Sequence, residues 1–137
     1  MKKVILNILS AVVPLMANAY DAEVNGIYYN FDSANLSAEV TNAGHIGSYS
    51  GQITIPETVE YQGTTYSVTS IEKGAFSYGQ SLNAVTLGKS ITKIGASAFA
   101  YCYQLENVYL PENLTDLGAY DYPHLGDTLP YILCSNA

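Results

Sequence analysis

Leu82-Asn83-Ala84-Val85-Thr86-Leu87 and Leu105-Glu106-Asn107-Val108-Tyr109-Leu110 both read L-x-x-V-x-L, and they stand 23 residues apart. Carried outward, the same offset aligns Val68 with Ile91 and Leu114, and Ile71 with Ile94 and Leu117. It also pairs Ala75-Phe76 with Ala98-Phe99 and Tyr78 with Tyr101. One coil of this length cannot bury its own apolar stripe, whereas stacked coils shield one another. Within V-x-L the alternation of a strand turns Val85, Leu87, Val108 and Leu110 inward and leaves Thr86 and Tyr109 outward. Rungs about 4.8 Å apart then form a parallel sheet. The Ala-Phe pairs fall on the opposite side of each coil, every Phe filling the core above its neighbour.

A period between 20 and 29 residues with this aliphatic pattern is the signature of leucine-rich repeats. Ile94-Gly95-Ala96-Ser97-Ala98-Phe99-Ala100-Tyr101-Cys102-Tyr103-Gln104-Leu105 resembles the I-G-x-x-A-F-x-x-C-x-x-L core of the BspA-like subtype. Residues 71–82 match the same core, with Glu72 in place of its Gly and Gly79 in place of its Cys. Leu110-Pro111-Glu112-Asn113-Leu114 and Ile55-Pro56-Glu57-Thr58-Val59 resemble the L-P-x-x-L rung. The resemblance implies a β-rich α/β solenoid: a short right-handed stack of coils with a parallel sheet, preceded by β-hairpins. It also implies a bacterial surface protein of the kind associated with adhesion to host proteins and contact between cells.

The chain divides accordingly. Met1-Lys2-Lys3, an apolar run from Val4 to Met16 and Ala17-Asn18-Ala19 form the three regions of an export signal over residues 1–19. Residues 20–52 contain Gly26–Phe31 and Ala38–Thr41, which read as an N-terminal hairpin or cap. Residues 53–118 hold the repeats. The distance from Ile55 to Leu87 is 32 residues, nine more than the period, and the excess carries Tyr61-Gln62-Gly63-Thr64-Thr65-Tyr66. It reads as a hairpin inserted at about residues 60–68. Beyond Gly118 the pattern fails, and 119–137 is either a divergent cap or the end of a shortened chain.

Composition narrows the functions. Apolar residues make up 48% and charged residues 12%, too apolar a balance for a disordered chain. There is no Arg, all 13 Tyr lie beyond residue 19, and the net charge is −7, or −9 once Lys2 and Lys3 leave with the signal. Such a surface repels phosphate backbones and anionic membranes, which excludes nucleic acid as a partner. The signal's apolar run is too short and broken to span a bilayer stably, and no transmembrane segment is expected in the mature chain.

No arrangement of catalytic groups emerges. His45 and His124 are isolated, the carboxylates are scattered over outward positions and turns, and neither a P-loop nor G-x-S-x-G occurs. Metal, cofactor and catalytic residues are therefore all assigned as none. Cys102 is explained as a small buried residue at its repeat position. Export permits a disulfide with Cys134, which the spacing does not indicate. The functional candidates are outward side chains of the sheet and adjoining turns: Thr54, Thr86, Tyr101, Asn107 and Tyr109. Exposed Tyr suits both protein contact and sugar stacking. The expected partner is a protein of host matrix or bacterial surface. A glycan is the alternative, and a structural fragment with no partner of its own is a third.

Overall fold

The computed structural model describes residues 19–118 and the backbone of residues 131–134. The export signal lies outside these residues, apart from Ala19, as does most of the 119–137 tail. The strands are β1 (Ala22–Val24), β2 (Ile27–Asp32), β3 (Ser37–Thr41), β4 (Gly51–Thr54), β5 (Thr58–Tyr61) and β6 (Thr64–Ile71). They are followed by β7 (Leu82–Thr86), β8 (Lys93–Ile94), β9 (Asn107–Leu110), β10 (Asp116–Leu117) and β11 (Tyr131–Cys134).

Two sheets share these strands. One runs β11-β9-β7-β4 and is parallel throughout. Its register is the sequence period made physical: Val85 lies opposite Val108, and Ile53 lies opposite Val85 across the 32-residue step. The other runs β1-β2-β3-β6-β8-β10, with β5 also paired to β6. Here Ile71, Ile94 and Leu117 stand in one row. Val85, Leu87, Val108 and Leu110 are buried, and Thr86 and Tyr109 are exposed.

β2 and β3 are antiparallel, and β1 adds a third strand through a turn at Asn25-Gly26, both in the left-handed region. A second hairpin joins β5 to β6 through Gln62-Gly63, with φ of 50° and 77°. Two successive residues of that kind make the turn whose twist matches a two-residue hairpin. The C-terminal half of β6 then pairs in parallel with β3 and β8, joining the opening hairpin to the first coil.

The expectation of an α/β solenoid needs correction in one respect: the described residues contain no helix. On the side opposite the β4-containing sheet the backbone bonds from coil to coil. The N–H groups of Gly74, Phe76 and Tyr78 donate to the carbonyls of Ala96, Ala98 and Ala100. A group committed to the next coil is lost to the bond four residues back that a helix needs. Left-handed residues recur at the same offset, Gly74 with Ser97 and Tyr78 with Tyr101, and break any helical run.

The core is one aliphatic and aromatic cluster reaching from the opening strands into both coils. An aromatic file runs through it: Tyr28 to Tyr49 at 5.7 Å, Tyr49 to Phe76 at 4.6 Å and Phe76 to Phe99 at 5.1 Å between ring centres. The buried Tyr49 hydroxyl donates to the Thr41 carbonyl and accepts from the Tyr28 N–H, so no polar atom is stranded there.

Candidate functional site

Three of the five candidate residues form one exposed row. Thr54 lies opposite Thr86, and Thr86 opposite Tyr109, on the outer face of the β11-β9-β7-β4 sheet. Asn107 lies opposite Ala84 on the same strands and is half-buried. Tyr109 is 37% exposed, so its ring offers apolar area while its hydroxyl stays wet. None of these residues carries a charge, and the strand period alone directs them outward.

Tyr101 is elsewhere. It sits in the coil-to-coil turns, stacked on Tyr78 at 4.4 Å and 22°, with Tyr103 edge-on at 6.4 Å. Burial, followed by the neighbouring Tyr78 and Tyr103 phenols, pushes its own phenol up. Tyr78 and Tyr101 line an open groove of about 450 Å3, bordered also by Asn42, Ile46, Lys73 and Ser77. The two stacked tyrosines are both left-handed, with φ of 58° and 60°. That conformation costs a side-chain-bearing residue about 1 kcal/mol or more. The coil-to-coil bond from Tyr78 to Ala100 helps hold it in place. Ile46, 60% exposed, was not legible as part of a surface, because residues 42–50 carry no repeat pattern.

Cys102 is a buried free thiol. Its S–H donates to the Phe76 carbonyl of the preceding coil at 3.0 Å. Burial pushes the thiol from 9.0 up to about 11, against a smaller lowering by the Gly79 N–H. A nucleophile needs the opposite shift. We expect alkylation mapped to Cys102 at pH 8 to be negligible in the native protein and rapid in denaturant; fast native labelling would contradict this burial. The raised folded value also means that the stability it contributes is full below about pH 9 and is lost as pH rises toward 11.

Among the described residues no three His, Cys, Asp or Glu side chains lie together as a metal set. No helix among them is long and apolar enough to cross a membrane.

Three solved structures similar to this chain come from bacteria. A leucine-rich-repeat protein from Bacteroides capillosus is 31% identical, with a TM-score of 0.63 over 72% of this chain and 70% of its own. A leucine-rich cell surface protein from Faecalibacterium prausnitzii is 24% identical, with a TM-score of 0.58 over 71% of this chain. A leucine-rich-repeat protein from Bacteroides ovatus is 23% identical, with a TM-score of 0.55 over 72% of this chain. The last two share the fold alone, and this chain spans only 26% and 32% of their lengths. No curated protein matches the sequence. The family model described as a BspA type leucine rich repeat region matches residues 51–125 with six copies, more than half of the chain. The chain therefore belongs to the BspA-type leucine-rich-repeat family.

Proposed function

We propose that this chain is an exported cell-surface module that binds another protein, of host matrix or of a neighbouring bacterium, and catalyses nothing. In this reading residues 1–19 are removed as a signal, 20–52 cap the array, and 53–118 form a right-handed solenoid. The observation that carries the reading is the exposed, uncharged row Thr54–Thr86–Tyr109, which neighbouring coils hold in fixed register. A rigid row of short hydroxyls beside an aromatic ring offers contact area with little entropy to lose on binding. The family membership and the surface description of the Faecalibacterium relative support the location.

The test is capture of host matrix proteins by residues 20–137, compared with Tyr109→Ala and Thr86→Glu forms. Loss of the aromatic anchor should weaken binding about tenfold or more, the effect of a central contact residue. Equal retention by all three forms would end the proposal.

The Tyr78–Tyr101–Tyr103 group supports a second reading, glycan binding. Tyr78 and Tyr101 of this group border a groove that also presents the Asn42 amide, the Ser77 hydroxyl and the Lys73 ammonium. Glycan-array binding that is lost in Tyr101→Ala and kept in Tyr109→Ala would favour it.

A further inference from the structure

The β11-β9-β7-β4 sheet ends at β4, and the far edge of β4 is open. Gly51 and Ile55 donate their N–H groups to Ser81 and Thr86 of the next coil. Alternation along a parallel ladder then turns the N–H and C=O groups of Gln52 and Thr54 away from β7. Neither residue has a backbone partner on that side among the described residues. Edges of this kind are normally blunted by a charge, a bulge that twists the edge away, or a cover. β4 has no charged residue, and its ladder to β7 carries one register shift, between Gly51 and Gln52, which leaves Ile53 and Thr54 in regular pairing.

Beside this edge lies a groove of about 480 Å3. Val24, Ile27 and Tyr29 of the opening strands form one wall, and Thr54, Pro56 and Val59 form the other. Glu60 lines it too, and Glu57, exposed, stands next to Pro56. The setting is electronegative. Residues 19–72 contain seven carboxylates and no Lys or Arg, whereas in residues 73–118 three Lys balance three carboxylates. The chain's negative charge is thus concentrated around the groove's half of the molecule.

We propose that this edge and groove bind an extended basic peptide segment of a partner protein, as one further strand on β4. Gln52 and Thr54 supply up to four main-chain hydrogen bonds, the groove takes alternate side chains between Val24 and Pro56, and Glu57 and Glu60 face the lysines or arginines between them. A second copy of this chain, docking edge to edge, is the poorer occupant, because it would set its own Glu57 and Glu60 against the same two carboxylates. The site uses the edge of β4 and so goes beyond the outward face that holds Thr86 and Tyr109.

The probe is an octapeptide alternating lysine and valine, titrated into the folded protein by fluorescence anisotropy. We expect binding, slowed exchange of the Gln52 and Thr54 amides in the complex, and about tenfold weakening from low to high salt. E57Q/E60Q, which alters only exposed side chains, should weaken it about fivefold or more. The same peptide N-methylated at alternate residues keeps its charge but cannot add as a strand, and it should not bind. Tyr109→Ala should bind the octapeptide as the parent does, so failure here and failure of the face-binding reading are separable. Three results would each overturn the proposal: no binding, equal binding of the N-methylated peptide, or binding of an aspartate–valine counterpart. Concentration-dependent dimerisation that protects the same two amides would also overturn it, by naming the second copy as the occupant.

Discussion

Gly95→Ala is expected to destabilise the protein by about 3 kcal/mol or more, because the added methyl has backbone rather than side chain in its way. A Cβ built at Gly95 would lie 2.3 Å from the Lys73 nitrogen and 2.7 Å from the Glu72 carbonyl carbon of the preceding coil. Neither atom can swing aside. Both lie next to the bonds that set the coil spacing, Gly95 N–H to Ile71 and Gly74 N–H to Ala96. Relief requires the coils to part, which breaks those bonds and opens the Ile71–Ile94 row behind them. At about 3–5 °C per kcal/mol for a domain of this size, the melting temperature should fall by about 9 °C or more. Gly63→Ala is the control: its Cβ meets nothing within 4 Å, but its φ is +77°, so it tests conformation without crowding. That change should cost only about 1 kcal/mol. A Gly95→Ala protein that melts with the parent would show that the coils are not in contact at this point.

The same position explains a departure that the sequence displays without a reason. The first coil carries Glu72 where the second has Gly95, and the next step brings Gly118, whose Cβ would lie 2.4 Å from the Ala96 nitrogen. Glycine is needed wherever a complete coil lies beneath. Beneath Glu72 lies instead the end of β3, and its carboxylate accepts the Thr41 hydroxyl. The Cys102 thiol reaches down to the carbonyl of Phe76 in the preceding coil, whereas at Gly79 a Cβ would lie 3.1 Å from the Phe76 carbonyl oxygen and the Leu82 Cβ of its own coil. The Glu72 departure thus marks where the array meets its opening strands.

What could be read from the sequence was whatever repeats. The 23-residue offset put Val85 on Val108 and Ile71 on Ile94, and the strand alternation put Thr86 and Tyr109 outside. The pairing of Phe76 with Phe99 followed from the same offset, and their rings stack within 8° of parallel. What could not be read depends on backbone geometry with no fixed sequence code. Tyr78 and Tyr101 are residues that rarely adopt positive φ, so nothing in their identity announced the turns that replace a helix. Those turns also separate Tyr101 from the Thr54–Thr86–Tyr109 row, though all four point to solvent at least in part. The parallel pairing of β3 with β6 escaped for another reason, being a single contact between two hairpins, which no period reports.

Phe76→Ala tests the other structural claim, that the opening strands and the coils share one core. Phe76 is 1% exposed and lies between Tyr49 at 4.6 Å and Phe99 at 5.1 Å. Truncating a buried ring removes its transfer energy and leaves a cavity, so the loss should be about 3–5 kcal/mol in urea denaturation. That is a large part of the 5–15 kcal/mol that ordinarily stabilises a domain. Where the loss appears matters as much as its size. If the aromatic file joins the opening strands to the coils, amide exchange should quicken both at Tyr28, whose N–H donates to the Tyr49 hydroxyl, and at Ala98 and Ala100, which flank Phe99. The Cys102 thiol, held against the Phe76 carbonyl, should become open to alkylation in the same variant. Phe76→Leu keeps most of the volume and should cost about 1.5 kcal/mol or less. If exchange quickened at Ala98 and Ala100 alone while Tyr28 kept its protection, the opening strands would be folding on their own, and the single core would be two.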